Sequence, residues 1–290
     1  MKKFILFNIF LISLLVLTTG CNLQRDNLRG ATINTTLYPI EYLTSVLYSG
    51  MGPTLSIYPD GTNPLEYNLT DKQLADASNV GIFVFNGHGK ERDYARTMIM
   101  ENRNLKLIDA TNNIEYEHNV HELWLDPINA LILARNIRTG LTEYFPSIIT
   151  QREINERFNQ LEATLSSIDA ELKLMASNAD HNTLIFMNDS LRFFERHGYN
   201  VITLEDGPNF SRNDFNEARR LLRTGQNKYI FLLDGQEPNR HVQNLVRNYD
   251  ATILYLDEIL MVTEEHRSDG ETFITRMNNN LETLRRELYR

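Results

Sequence analysis

Apolar positions along the chain follow two periods. Short, β-branched, apolar runs recur at Ala31–Thr36, Thr54–Tyr58, Gly81–Asn86 and Leu105–Ala110, and again at Thr183–Met187, Asn200–Leu204, Lys228–Leu233 and Ala251–Leu256. Helical spacing separates them, near Ile40–Tyr48, Asp71–Ala77, Glu91–Glu101 and Asp126–Tyr144 in the first array. In the second it falls near Asp189–His197, Asn213–Thr224, Asn239–Tyr249 and Gly270–Tyr289. Short buried strands alternating with helices predict parallel βαβ units. Thr70 suits the N-cap of the helix at Asp71. Pro127 suits the first turn of the helix that follows Asp126, where its missing N–H has no partner in any case.

Between the two arrays the pattern changes. Residues 150–177 contain no Gly or Pro, and Ile154, Phe158, Leu161, Leu165, Ile168, Leu172 and Met175 follow one another at steps of four and three. That is one apolar stripe along a single helix of about 28 residues, ~42 Å long. The same spacing fits a coiled-coil strand, but βα patterns flank the segment on both sides. The expected fold is α/β, with two lobes (31–149 and 178–290), each built on a four-stranded, mainly parallel sheet. One long helix, 150–177, joins them.

The N-terminus changes the picture. Met1-Lys2-Lys3 precedes an apolar run from Phe4 to Leu17, interrupted only by Asn8 and Ser13. A charged start and a short apolar segment make a secretory signal, too short for a membrane span of roughly 20 residues. The run ends in Leu17-Thr18-Thr19-Gly20-Cys21, which resembles a lipobox. Residues 1–20 then form a lipoprotein signal peptide, Cys21 is the lipidation site, and the polar residues 21–30 form a tether. Cys21 is the only cysteine of 290 residues, so an exported chain has no internal disulfide. Acylation removes a thiol that would otherwise be free, and two or three acyl chains hold a protein stably where one does not. The expected location is the outer face of the cell membrane.

Charge narrows the partners. The net charge is −9, and loss of Lys2 and Lys3 takes the mature chain to −11. An acidic exported chain is a poor match for nucleic acid and is compatible with a cationic ligand. The sequence holds no Gly-rich phosphate loop, nucleophile elbow, HExxH or CxxC motif, so no enzyme chemistry is indicated.

Five stretches point in one direction: Thr36-Leu37-Tyr38-Pro39; Asn63-Pro64-Leu65-Glu66-Tyr67; Val84-Phe85-Asn86-Gly87 with Glu91 after it; Trp124-Leu125-Asp126-Pro127; and Arg276-Met277-Asn278-Asn279-Asn280-Leu281. In this order, behind a lipobox and around a lone spanning helix, they resemble the zinc/manganese-type solute receptors of ABC importers, a family that includes adhesin lipoproteins. The resemblance implies a monomeric receptor that captures a divalent metal ion, Zn or Mn, in the interlobe cleft and delivers it to a permease subunit.

Members of that family usually hold metal with three histidines and a carboxylate. The resemblance places the first histidine at Leu65, beside Glu66, and the second at Glu122, with His121 next to it. The third falls at Asn188 or Asp189, and the carboxylate at Asp257 or Glu258. None of the three histidines is present. A set drawn from Glu66, Glu122, Asn188, Asp189, Asp257 and Glu258 would be rich in oxygen donors, which suit Mn²⁺, Ca²⁺ or Mg²⁺ better than imidazole sites do. Strand ends facing a cleft are where open α/β sheets place ligands. An alternative follows from Leu65: a surface adhesin or interaction lipoprotein that kept the fold and lost the metal, or that takes another small ligand.

The remaining histidines read more simply. His88 reads as an exposed loop residue and the stretch around His118 and His121 as a polar loop. His181, His197, His241 and His266 read as surface positions. Trp124 reads as a core anchor.

Overall fold

A computed structural model describes residues 26–289; the signal peptide and Cys21 lie outside the described residues. The strands are β1 (Ile33–Thr35), β2 (Thr54–Ser56), β3 (Ile82–Phe85) and β4 (Lys106–Asp109), then β5 (Thr183–Phe186), β6 (Asn200–Thr203), β7 (Tyr229–Leu233) and β8 (Thr252–Leu256). They form two sheets, ordered β2-β1-β3-β4 and β6-β5-β7-β8, and every strand pair is parallel. The α/β, two-lobed expectation holds, and both lobes use one topology.

The first lobe carries α1 (Tyr38–Leu47), α2 (Asp71–Ala77), α3 (Glu91–Glu101), a single turn α4 (Glu122–Leu125) and α5 (Pro127–Tyr144). Thr70 caps α2 through a capping box with Gln73. Asp126 caps α5 by accepting from Ile128 N at 2.9 Å, and Pro127 opens the helix. The second lobe carries a 3₁₀ helix at Asp189–His197, then α7 (Arg212–Thr224), α8 (Arg240–Tyr249), α9 (Glu264–Ser268) and α10 (Phe273–Leu288). The turn α4 and the helix α9, of four and five residues, are too short to carry a periodic signal.

The lobes meet on α6 (Ile148–Asn178), a helix of 31 residues. All seven residues of the apolar stripe, Ile154 to Met175, are 4% exposed or less. They belong to one continuous core that includes Leu43 and Ile137 of the first lobe and Phe186 and Leu284 of the second. A buried side chain of this size contributes about 1.5–3 kcal/mol, so the stripe welds both sheets to a common spine.

Residues 26–30, read from sequence as part of a tether, are packed on the first lobe. Asp26 accepts from Ser147 N at 2.8 Å, and Arg29 donates to Thr150 Oγ1 at 2.9 Å.

Candidate metal site in the interlobe cleft

In a 2-1-3-4 sheet the chain leaves β1 toward one side and returns on the other, so a crevice opens at the carboxyl ends of the central strands. The loops after β1, β3, β5 and β7 border it here. A further loop, 257–262 after β8, crosses to the first lobe. Tyr38 N donates to Leu260 O at 3.2 Å and Gly61 N to Val262 O at 2.7 Å. Ile259 in this loop is fully buried at φ 52°. For a β-branched residue that conformation costs on the order of 1–3 kcal/mol, which the contacts around it must offset.

Glu122 is fully buried and its carboxylate is fully engaged. It accepts from the backbone N–H groups of Glu117 (3.3 Å), His118 (2.9 Å) and Asn119 (3.3 Å). Arg196, from the opposite lobe, donates to Oε2 at 2.9 Å and also reaches Asp126 at 3.2 Å. The carboxylate therefore shapes the turn before Trp124 and meets a guanidinium where a metal ligand would meet its ion.

Asn188 and Asp189 open the 3₁₀ helix. Asn188 caps it through Ser190 N at 3.1 Å and donates to Gln236 Oε1 at 3.1 Å. Asp189 Oδ1 accepts from Thr203 Oγ1 at 2.8 Å and Arg192 Nε at 3.2 Å. Asp257 forms a two-point pair with Arg276, at 2.5 and 2.6 Å, and Asn280 brackets its backbone from both sides, accepting at 2.8 Å and donating at 2.9 Å. Arg276 also lies over the Tyr38 ring at 5.4 Å. Two of the five sequence motifs thus meet at Arg276. Burial pushes the Tyr38 hydroxyl up to about 12. Glu66 is exposed, in a turn whose neighbours Leu65 and Tyr67 are held by Lys90 Nζ on their carbonyls.

Glu258 is different. Its side chain keeps 23% of its exposure, and its carboxylate meets His121 Nε2 across the lobes. His121 Nδ1 faces Asn119 Oδ1, and Trp124 Nε1 donates to Glu258 O at 2.8 Å. Asp234, in the loop after β7, is pushed above the ordinary carboxylate range by burial and then by the charges of Asp257 and Glu258.

Two more polar ties close the seam. Arg267 of the second lobe grips Asp60 at 2.7 and 2.9 Å and Glu41 at 2.8 Å. Burial raises the Glu41 carboxyl against the pull of Arg267. His197, expected on the surface, is 2% exposed, with Asp126 at 3.3 Å and Asp169 of α6 at 3.1 Å. The reason is topological: the 3₁₀ helix packs its last turn on α6, which a pattern of single residues does not show. His88 is exposed, as expected, with Nε2 on Ile114 O at 2.6 Å. Trp124 is 1% exposed and belongs to the core. His118 is exposed in a bend and lies beside Glu117 at 3.9 Å.

The third motif has a structural reason as well. A Cβ at Gly87 would lie 2.0 Å from Asp109 Oδ2, so only glycine lets its N–H donate to Thr111 Oγ1 at 2.9 Å and Asp109 Oδ1 at 3.1 Å. Downstream of it, Glu91 accepts from Tyr58 Oη at 2.8 Å.

These residues do not assemble a metal centre of the expected kind. Among the described residues no three His, Cys, Asp or Glu side chains gather to share an ion, whereas a closed zinc site takes four ligands. Two imidazole–carboxylate pairs cross between the lobes among the described residues: His121 with Glu258, partly open, and His197 with Asp126, fully buried. Sequence reading had named Glu258 and had set His121 aside; Arg196, Glu41, Asp60 and Arg267 carried no signal at all.

The family described as zinc-uptake complex component A, periplasmic, matches residues 33–287. The chain belongs to this family of transport components. A zinc-binding protein, AdcA, of Streptococcus pyogenes serotype M1 is 21% identical over 326 residues, covering 98% of this chain and 61% of the relative. The chain thus spans about 61% of the length of the curated relatives it matches. The Zn(II)-bound ZnuA-like domain of Streptococcus pneumoniae AdcA superposes with a TM-score of 0.71 at 19% identity, over 90% of this chain and 100% of that one. The laminin-binding protein Lmb of Streptococcus agalactiae, described as bifunctional with adhesin and metal-transporting activity, gives 0.68 at 16%, over 89% and 100%. The structural likenesses establish the fold.

Proposed function

We propose that this chain is the extracytoplasmic solute-binding component of an ABC importer of the zinc-uptake type, tethered by lipid at Cys21. It carries a divalent cation in the interlobe cleft to a permease. The family match across residues 33–287 carries this reading. The single rigid spine supports it too, because a stiff helix between lobes allows modest closure over a small ion and resists a wide hinge.

In this reading the cation meets His121 and Glu258, one donor from each lobe, with water completing its shell. Asp234 and Asp257 add negative charge nearby. A site with one imidazole and several oxygens accepts Zn²⁺ and is also suited to Mn²⁺. The test is metal analysis of untagged protein, followed by calorimetric titration with Zn²⁺, Mn²⁺ and Ca²⁺. Binding is expected in the wild type and is expected to fall at least tenfold in His121→Ala. If no ion binds, cation carriage is wrong.

A second reading has its own observation. The Glu122 carboxylate meets Arg196, and among the described residues no three ligands converge. A receptor body that kept its lobes closed with its own ion pairs would serve as a surface interaction lipoprotein, and a failed titration would favour it.

A further inference from the structure

We propose that the N-terminal turn of α6 is a membrane-contact surface, in which Ile148, Ile149 and Arg152 rest on an anionic bilayer. This inference rests on the lipid anchor at Cys21. Ile148 is 73% and Ile149 52% exposed, at the start of a helix whose other large apolar residues are mostly buried. Arg152 is exposed and lies four and three positions further on, on the same helical face. No carboxylate pairs with it among the described residues. Two bare isoleucines beside an unpaired guanidinium have the chemistry of an interfacial helix turn. The apolar side chains enter the headgroup boundary while the cation meets lipid phosphate.

The path of the chain selects the occupant. Asp26 is fastened to this same turn, through Ser147 N at 2.8 Å and Thr150 Oγ1 at 2.5 Å. Arg29 adds bonds to Thr150 at 2.9 Å and Glu153 at 3.4 Å. Leu28 packs against the core. Cys21 lies five residues before Asp26, so even a fully extended leash holds the lipid within about 18 Å of the point of attachment. The acyl chains therefore deliver this turn, and no other part of the body, to the bilayer. The attachment is also at the amino-terminal end of β1, while the cleft opens at the carboxyl ends of the strands. The contact thus turns the cleft toward incoming solute, and the turn must lift from the bilayer before the cleft can reach a permease.

The experiment uses the full, lipidated chain in vesicles of phosphatidylethanolamine and phosphatidylglycerol. Acylation leaves Cys21 without a free thiol, so Ile149→Cys can be labelled uniquely with an environment-sensitive fluorophore. Leu174→Cys is the control: it is 59% exposed, on the same helix and ~38 Å further along. The expected result is a blue-shifted emission at position 149, quenched several-fold more by spin-labelled lipid than emission at 174. Arg152→Glu should reduce that quenching. Flotation of the vesicles reports the anchor separately. Protein that floats with position 149 in water overturns the contact surface alone, and protein that does not float overturns the anchor and the surface together. Equal quenching at 149 and 174, or a blue shift in the unlipidated Cys21→Ser chain without vesicles, also rejects the proposal. The last result would assign the turn to a second protein copy.

Discussion

Glu122 and Glu258 stand on the two sides of one seam, and the fold holds these carboxylates in opposite ways. Glu122 is fully buried, with three backbone donors and the Arg196 guanidinium around it. Glu258 is partly open and meets one imidazole. The first is architecture: its charge is satisfied before any ligand arrives, and any cation would have to displace an arginine. The second is adjustable, because a single partner can be exchanged for an ion with little rearrangement. Residue type and distance to the cleft do not distinguish the two; the number of donors already committed does.

The sharpest way to break this comparison is Glu122→Ala. It leaves three N–H groups and Arg196 facing an empty space, and loss of one side of a buried ion pair costs about 3–5 kcal/mol. Chemical denaturation should show that loss, and a change below about 1 kcal/mol would mean Glu122 is not architectural. Arg196→Met comes next. Arg196 is 41% exposed, so solvent moderates its effect, and about 1–3 kcal/mol is expected. Combined with Glu122→Ala it should cost much less than the sum of the single changes.

Glu258→Gln should cost less again, about 1 kcal/mol, measured by the same denaturation. Equal costs for Glu258→Gln and Glu122→Ala would erase the contrast. The smallest effect belongs to a third carboxylate, Glu91, which is 2% exposed and has a neutral hydroxyl as partner. Burial raises its carboxyl from the model-compound value of 4.5, and the bond from Tyr58 only partly opposes this. A raised carboxyl contributes stability below 4.5 and loses it as pH rises through the folded value. Relative to wild type, Glu91→Gln should therefore gain stability as pH rises above 4.5. A parallel pair of stability–pH curves would refute this.

Much of the architecture was legible along the chain because it repeats locally. The stripe from Ile154 to Met175 announces its helix, and seven buried positions on one face admit few other arrangements. The capping role of Thr70 and the helix start at Pro127 depend on residues a few positions away and were equally readable. The candidate site was less so. Family positions led to Glu66, Glu122, Asn188, Asp189, Asp257 and Glu258. Asn188 and Asp189 follow β5 and Asp257 and Glu258 follow β8, whereas Glu122 opens a helical turn and Glu66 lies in an exposed turn. Their partners come from far along the chain: Arg196 for Glu122, Arg276 for Asp257, His121 for Glu258. A carboxylate's availability depends on those partners, and no local spacing encodes them.

By itself, then, the sequence determined the period of each segment, the two arrays of strands and helices, the spine between them and the motif series. These follow from short-range sterics and from the alternation of apolar faces. Only the tertiary structure decided which charges neutralise one another across the seam. It also placed His197 inside the protein, left Ile148 and Ile149 bare, and fastened Asp26 beside them. Those outcomes depend on contacts between residues tens to hundreds of positions apart, where burial and competition among partners, rather than residue identity, set the chemistry.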